Sequence, residues 1–174
     1  MNYFVLACGT LLIAVFSCFF SIREKRYHGI SRFFSFESIF IMFLLNYKFW
    51  FRDVLSWNQI ISWILLFASV YPVIAGVLLL RKKGKPTDSL ENTTVLVKSG
   101  IYHYIRHPLY CSLLLLGTGV MFKNTGLLQV VAGIINITAI YITGKIEEKE
   151  MISRFGSEYA EYMKGTKMFI PFII

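Results

Sequence analysis

Charge is what this sequence has least of. Asp, Glu, Lys and Arg make up 16% of its 174 residues, where a soluble domain carries about 25%. Hydrophobic residues take 56%, and the mean hydropathy is +0.59. That balance argues against a water-soluble fold and for an integral membrane protein of one domain, residues 1–174. Acidic residues are scarcer still, ten against eighteen Lys and Arg, for a formal charge of +8. The excess does not point to nucleic acid. Most basic residues sit in short connections between apolar runs, where membrane topology explains them. Only three cysteines occur, Cys8, Cys18 and Cys111, without Cys-x-x-Cys spacing and mostly inside apolar runs. They imply packing, with no disulfide framework or zinc site. Internal repeats, low-complexity tracts and a Gly-rich dinucleotide fingerprint are also missing.

What is there is a series of long apolar runs. Tyr3–Ile22 carries no charge and is long enough to cross a hydrocarbon core of about 30 Å at 1.5 Å per residue. Arg23, Glu24, Lys25 and Arg26 follow it, so it reads as a retained first helix and not a cleaved signal peptide. Phe33–Phe51 is a weaker second span containing Glu37, Asn46 and Lys48. A carboxylate at Glu37 is costly there unless paired or reached by water, and structural pairing is favoured over a role in a site. Arg52–Asn58 makes an outer turn, with Trp50 and Trp57 at interface depth. Gln59–Leu80 is the third span, with a kink predicted at Pro72. Arg81, Lys82, Lys83 and Lys85 return the chain to the cytoplasm. The polar stretch 84–99, with Pro86, Asp88, Glu91 and Asn92, reads as a cover over a site or as a plain linker.

Pro108–Phe122 and Gly126–Gly144 form a hairpin around the turn Lys123-Asn124-Thr125-Gly126. Gly117, Gly119, Gly133 and Gly144 would let its arms approach closely. Ile146–Lys164 reads as a cytoplasmic helix with Met151, Ile152, Phe155, Tyr159, Tyr162 and Met163 on one face. The expected fold is therefore all-α, a polytopic membrane bundle of about five transmembrane helices with a cytoplasmic C-terminal helix. Three spans lie in residues 1–80, and the hairpin and last helix in 81–174. Of the eighteen Lys and Arg, only Lys48, Arg52 and Lys123 fall on the outer side. The N-terminus is expected outside and the C-terminus in the cytoplasm, with a cell's inner membrane as the setting.

The residues that could carry chemistry cluster on the cytoplasmic side. In Arg106-His107-Pro108 the proline pushes His107 out of helical geometry and suits the first position of the next helix. Arg106 and His107 then stand beside free backbone amides, where a carboxylate or phosphate is favoured; a plain basic interface anchor is the alternative. His103 and His107 are four apart, but Pro108 breaks the helix that a shared metal would need and no third ligand is near, so no metal is expected. Tyr102, Tyr104 and Tyr110 are interface aromatics or a cage for a cationic group. Glu147 and Glu148 emerge beside Arg106 and His107 once the hairpin folds. They are a solvated helix turn, or a carboxylate pair for an amino group, ribose hydroxyls or a sulfonium.

These residues resemble a known family. Val95 to Tyr110, VLVKSGIYHYIRHPLY, and Glu147 to Ile173, EEKEMISRFGSEYAEYMKGTKMFIPFI, are similar to the isoprenylcysteine carboxyl methyltransferases and their prokaryotic relatives, a set that extends to phospholipid N-methyltransferases. Leu96-Val97, Gly100 with Tyr102, Arg106 to Tyr110, Glu147-Glu148, Phe155-Gly156, Tyr159 and Tyr162 follow the family pattern in order. The resemblance covers roughly the last eighty residues of the chain. It implies S-adenosylmethionine bound at the cytoplasmic face by Leu96, Val97, Tyr102, His107, Pro108, Leu109, Tyr110 and Glu147. Arg106 and Glu148 are the candidate catalytic residues. It also implies methyl transfer to the carboxylate of a lipophilic or prenylated acceptor within membrane lipids, with no metal and no nucleic acid. Positioning would supply much of the acceleration. A carboxylate acceptor is already ionised and needs no base, whereas an amine would call on Glu148 or His107. One position departs: eukaryotic members carry an arginine where this chain has Thr143. Arg106 or Lys145 is then left to meet an acceptor carboxylate. Phospholipid or amine N-methylation is the first alternative, and a non-enzymatic lipid- or partner-binding role the second. A nicotinamide-dependent sterol reductase is a more distant third.

Overall fold

The computed structural model describes residues 3–24, 28–87 and 92–173, with backbone alone for 20–24. Lys25, Arg26, Asp88 and Glu91 lie outside the described residues, as do the side chains of Arg23 and Glu24. The described residues are all-helical: α1 (Tyr3–Glu24), α2 (Gly29–Asn46), α3 (Trp57–Lys83), α4 (Pro108–Met121), α5 (Leu127–Phe155) and α6 (Ser157–Gly165). Three helices are long and apolar enough to cross a membrane: α2 with its following turn, α3 and α5. The apolar stretch Tyr3–Phe19 of α1 and all of α4 are shorter.

α4 is the centre of the bundle and packs against α3, α2 and α5, while α1 rests on α2. At 14 residues it is about 21 Å long, less than a hydrocarbon core of about 30 Å. Its N-terminus can therefore sit below the surface, roofed by residues 100–107 and the C-terminal stretch.

Two boundaries differ from the sequence reading. α5 does not end at Gly144 but runs on through Glu147 and Glu148 to Phe155. Nothing after Gly144 stops a helix, and Lys145-Ile146-Glu147-Glu148-Lys149 are good helix formers. Gly144 serves packing instead, since a Cβ there would lie 2.6 Å from Met168 Cε. The break falls at Gly156, whose φ of +58° only glycine adopts cheaply. The predicted helix 146–164 is thus the end of α5 plus the separate α6. At the other end, α2 starts at Gly29, four residues before the expected span.

α2 and α5 meet along a seam of small and polar side chains. Ser31, Ser35, Ser38, Met42 and Asn46 face Gln129, Ala132, Asn136, Ala139 and Thr143 in heptad-like steps, and all but Ser31 are buried. Gln129 Nε2 donates to Asn46 Oδ1 at 2.9 Å, and Thr143 Oγ1 to Ser31 Oγ at 2.8 Å. In hydrocarbon, where apolar surface alone drives little association, such contacts and close backbones hold helices together. Thr143, the position that departs from the family pattern, is spent on this seam. Glu37 is paired across α1–α2, accepting from Thr10 Oγ1 at 2.6 Å.

The far end of the bundle holds a surprise of charge. Lys123, expected in an exposed outer turn, is 1% exposed. Its ammonium lies 3.5 Å over the Trp63 ring and 5.2 Å from the Trp50 ring, and donates to Gln59 Oε1 at 3.0 Å. Burial pushes its amine down to about 8.

Candidate functional site

Pro108 opens α4, and His107, just outside it, has extended-side geometry (φ −123°, ψ 68°). The stretch before α4 is pinned by the C-terminal segment: Arg106 N–H donates to Lys167 O, His107 N–H to Met168 O and Lys167 N–H to Tyr104 O, at 2.8, 3.1 and 3.0 Å. These backbone bonds replace the turn that proline forbids. His107's ring then lies between Tyr110 (5.4 Å, stacked) and Phe169 (5.9 Å).

Behind that ring sits a buried ion pair. Arg106 Nε and Nη2 both reach Glu148 Oε1, at 2.8 and 2.7 Å, with both side chains under one-tenth exposed. Nη1 donates to Thr166 O and, at 3.3 Å, to Met163 O. These are carbonyls at the C-terminal end of α6, where a cation also meets the negative pole of the helix. Lys145 Nζ holds Glu148 Oε2 at 3.0 Å. His107 is flanked by both acids, Nδ1 at 3.5 Å from Glu147 Oε2 and Nε2 at 3.8 Å from Glu148 Oε1. Burial opposes the charged imidazole, but the two carboxylates outweigh it and hold His107 above its ordinary value.

In front of His107 opens a cavity with about 630 Å³ of space free of atoms, mouth included. Leu96, Val97, Tyr102, Arg106, His107, Pro108, Leu109, Tyr110 and Glu147 all line it. Of the ten candidate residues only Glu148 does not, standing behind His107. His103 is exposed and turned against Tyr104, away from His107's neighbours.

Sequence reasoning left out five wall residues: Leu80, Thr93, Met151, Tyr159 and Tyr162. Tyr162 donates to Tyr102 O at 2.5 Å, tying α6 to the roof of the cavity. Burial, joined at Tyr159 by the nearby Glu147 and Glu148 charges, pushes both phenols well above their usual range, so they stay protonated. The signal for the two tyrosines was present. A nine-residue helix with large apolar side chains on one face has to cover something. Leu80 and Thr93 carried no such mark.

With this geometry in view, comparison with known proteins bears on most of the segment that builds the cavity. Residues 87–153 match the profile of the Isoprenylcysteine carboxyl methyltransferase (ICMT) family. The match covers less than half of the chain. Over 84 residues, 48% of this chain and 35% of the relative, the chain is 33% identical to protein-S-isoprenylcysteine O-methyltransferase of Saccharomyces cerevisiae. Over 75 residues, 41% of this chain and 28% of the relative, it is 36% identical to methanethiol S-methyltransferase of Crocosphaera subtropica. The alignments span about a third of the length of these curated relatives. No solved structure matches the chain significantly. The matched segment contributes α4, most of α5 and eleven of the cavity's fourteen lining residues.

Proposed function

We propose that the protein transfers a methyl group from S-adenosylmethionine to an oxygen or sulfur acceptor on a lipophilic molecule, at the cytoplasmic face of the membrane. When bound, that cofactor supplies an electrophilic methyl on a sulfonium. The residues present fit it. Leu96, Val97 and Leu109 offer apolar wall, Tyr102 and Tyr110 offer ring faces that suit a cation, and Glu147 offers a carboxylate. His107 Nε2 is buried and lacks a hydrogen-bond partner among the described residues; with the first amides of α4 it suits a carboxylate ligand. Arg81, Lys82, Lys83 and Lys85, one turn beyond the wall residue Leu80, support the cytoplasmic face.

The observation that carries the acceptor class is the state of the acids and the histidine. Two carboxylates flank His107 and favour its charged form, and Glu148 is engaged by Arg106 and Lys145. Of the two acids only Glu147 lines the wall, and it faces His107. A carboxylate is ionised at neutral pH and has no proton to give, and a thiol ionises more readily than an alkylammonium, whose proton must leave before it can accept a methyl. The names of the two relatives, one an O- and one an S-methyltransferase, point the same way. Arg106 and Glu148 then serve as positioning residues that hold His107 and the C-terminal segment.

The test is calorimetric binding of S-adenosylhomocysteine in detergent, with wild type and with His107→Ala and Glu147→Ala, followed by transfer of labelled methyl into prenylcysteine, thiol and phospholipid amine acceptors. Binding that both substitutions weaken at least tenfold, with label in the first two acceptor classes, is expected. No binding, or label only in the amines, refutes the reading.

A further inference from the structure

Beyond the 166–169 stretch that pins His107, the chain turns outward. In Ile170-Pro171-Phe172-Ile173, Phe172 and Ile173 are 85% and 73% exposed. Ile173 N–H donates to Ile170 O at 3.2 Å, closing a turn. Phe172 sits in that turn at φ +66°, a backbone that bulky side chains rarely adopt. Its ring meets half-exposed Tyr104 edge-on, at 6.5 Å. In water, such an apolar cluster would be a liability. We propose that residues 170–173, with Tyr104, seat in the membrane leaflet on the side of Arg81, Lys82 and Lys83, and that this seat holds residues 166–169 against His107. The candidate site is then fully assembled only when the protein lies in a bilayer.

Three observations favour lipid as the partner. The first is depth. Gly76 of α3 is level with the start of α4, since a Cβ on it would lie 3.2 Å from Pro108 Cβ. It stands five residues before Arg81, about 7 Å towards the membrane centre at 1.5 Å per residue. A hollow with about 950 Å³ of space free of atoms, mouth included, goes deeper, joining Tyr104, Ile105 and Pro171 to Tyr71 and Pro72 of α3. The second is continuity. Phe67, Tyr71, Ile74 and Leu78, at steps of four, three and four, form an exposed apolar stripe on α3, a helix long enough to span. Tyr71 belongs to both the stripe and the hollow, so hydrocarbon that covers α3 also reaches Pro171 and Tyr104. The third is charge. From Gly165 to Ile174 there is no acid and one basic residue, Lys167, which is exposed. A long stem with a cationic tip suits headgroups at the rim of an apolar seat, and a tyrosine ring favours that depth. His103, exposed on the wall of the hollow, can meet headgroups as well.

The seat acts on the site through few bonds. Arg106 N–H to Lys167 O, His107 N–H to Met168 O and Lys167 N–H to Tyr104 O tie residues 166–169 to the start of α4, and Phe169 lies against the His107 ring. A stretch held by three backbone bonds opens readily unless the chain beyond it is fixed. Burying Ile170, Phe172 and Ile173 in hydrocarbon fixes it.

The experiment uses the full chain in lipid nanodiscs. Phe172→Trp adds a fluorophore, read as the difference from wild type. Phosphatidylcholine brominated near the top of its acyl chains at least halves that added emission, and acrylamide in the water does not; the reverse pattern overturns the proposal. The pair Phe172→Asp and Ile173→Asp, at exposed positions outside the cavity, then tests the coupling. Amide exchange at Arg106, His107 and Lys167 speeds up at least tenfold, while exchange within α3 is unchanged. Unchanged rates at those three amides overturn the proposal. The pair Phe172→Leu and Ile173→Leu keeps the apolar surface and is expected to keep wild-type exchange. If it loses protection as the aspartates do, side-chain packing and not lipid holds the stretch, and the proposal fails. None of these readouts needs S-adenosylmethionine, so they are decided separately from the methyl-transfer reading.

Discussion

The Arg106–Glu148 pair supplies the sharpest test of how the site is held. Replacing Arg106 with Leu strips Glu148, 3% exposed, of a two-pronged partner. It also leaves the Thr166 and Met163 carbonyls without their shared donor. Lys145 and His107 remain near the acid, but Lys145 is half-exposed and His107 stands at 3.8 Å, so neither replaces the guanidinium fork. Leaving one half of a buried pair costs about 3–5 kcal/mol. For a chain of this length that lowers Tm by about 10 °C. Arg106→Lys keeps the charge but not the fork and falls between. Because the loss comes largely from the stranded carboxylate, Arg106→Leu combined with Glu148→Leu costs less than the two single changes added together. Thermal unfolding of the four proteins in detergent completes the double-mutant cycle. Protease or hydrogen-exchange protection of residues 166–169 reports whether the C-terminal segment lets go. A single-variant loss under about 1 kcal/mol, or strictly additive losses, would refute the reasoning and return Arg106 to the role of a free cation for the acceptor.

Three further outcomes follow from the buried polar groups. The stabilisation that charged His107 contributes is complete below its ordinary value of about 6.5 and is lost as pH rises through the higher folded-state value. The Tm difference between wild type and His107→Asn therefore shrinks on going to alkaline pH, and a difference that grows would contradict the carboxylate clamp. Lys123 behaves in the opposite sense. Between about 8 and its ordinary 10.5 the folded protein binds fewer protons than the unfolded chain, so Lys123's contribution to stability rises across that window. Lys123→Met removes the rise, and parallel pH profiles for the two proteins would sink the assignment. Asn136 is 2% exposed with neither amide atom hydrogen-bonded among the described residues, a penalty of about 1–3 kcal/mol. Asn136→Leu, close in volume, is expected to raise Tm by several degrees; a fall would mean that the amide is satisfied in the folded protein.

The cavity was legible in the sequence to an unusual degree, for a local reason. Pro108 specifies both the start of α4 and the non-helical backbone of His107, so the arrangement of Arg106, His107, Leu109 and Tyr110 is written in five consecutive residues. Glu147 could be placed because α5 returns antiparallel beside α4. What the sequence hid is what depends on pairing at a distance. Asn46 and Glu37 made the second span look weak, yet Asn46 is completed by Gln129, eighty-three residues away. Gly144 looked like a terminus because glycine is a common one; only the arrival of Met168 and Phe169 explains it as a close approach. Lys123 looked like a topology charge, since nothing local reveals that two indoles and Gln59 enclose it. Glu148, a candidate catalytic residue in the sequence, is the plainest case: nothing beside it in sequence reveals that its partner in space is Arg106, forty-two residues away.

These observations also bear on how one scaffold could serve different acceptors. The acids and the histidine neutralise one another in two tiers, Arg106 with Glu148 behind and His107 with Glu147 in front. Such a site orders charge, so the proposed reaction depends largely on what the acceptor brings and on where it is held. Most of the cavity wall is built from the segment that matches the ICMT family, and α6 adds Tyr159 and Tyr162 from outside it.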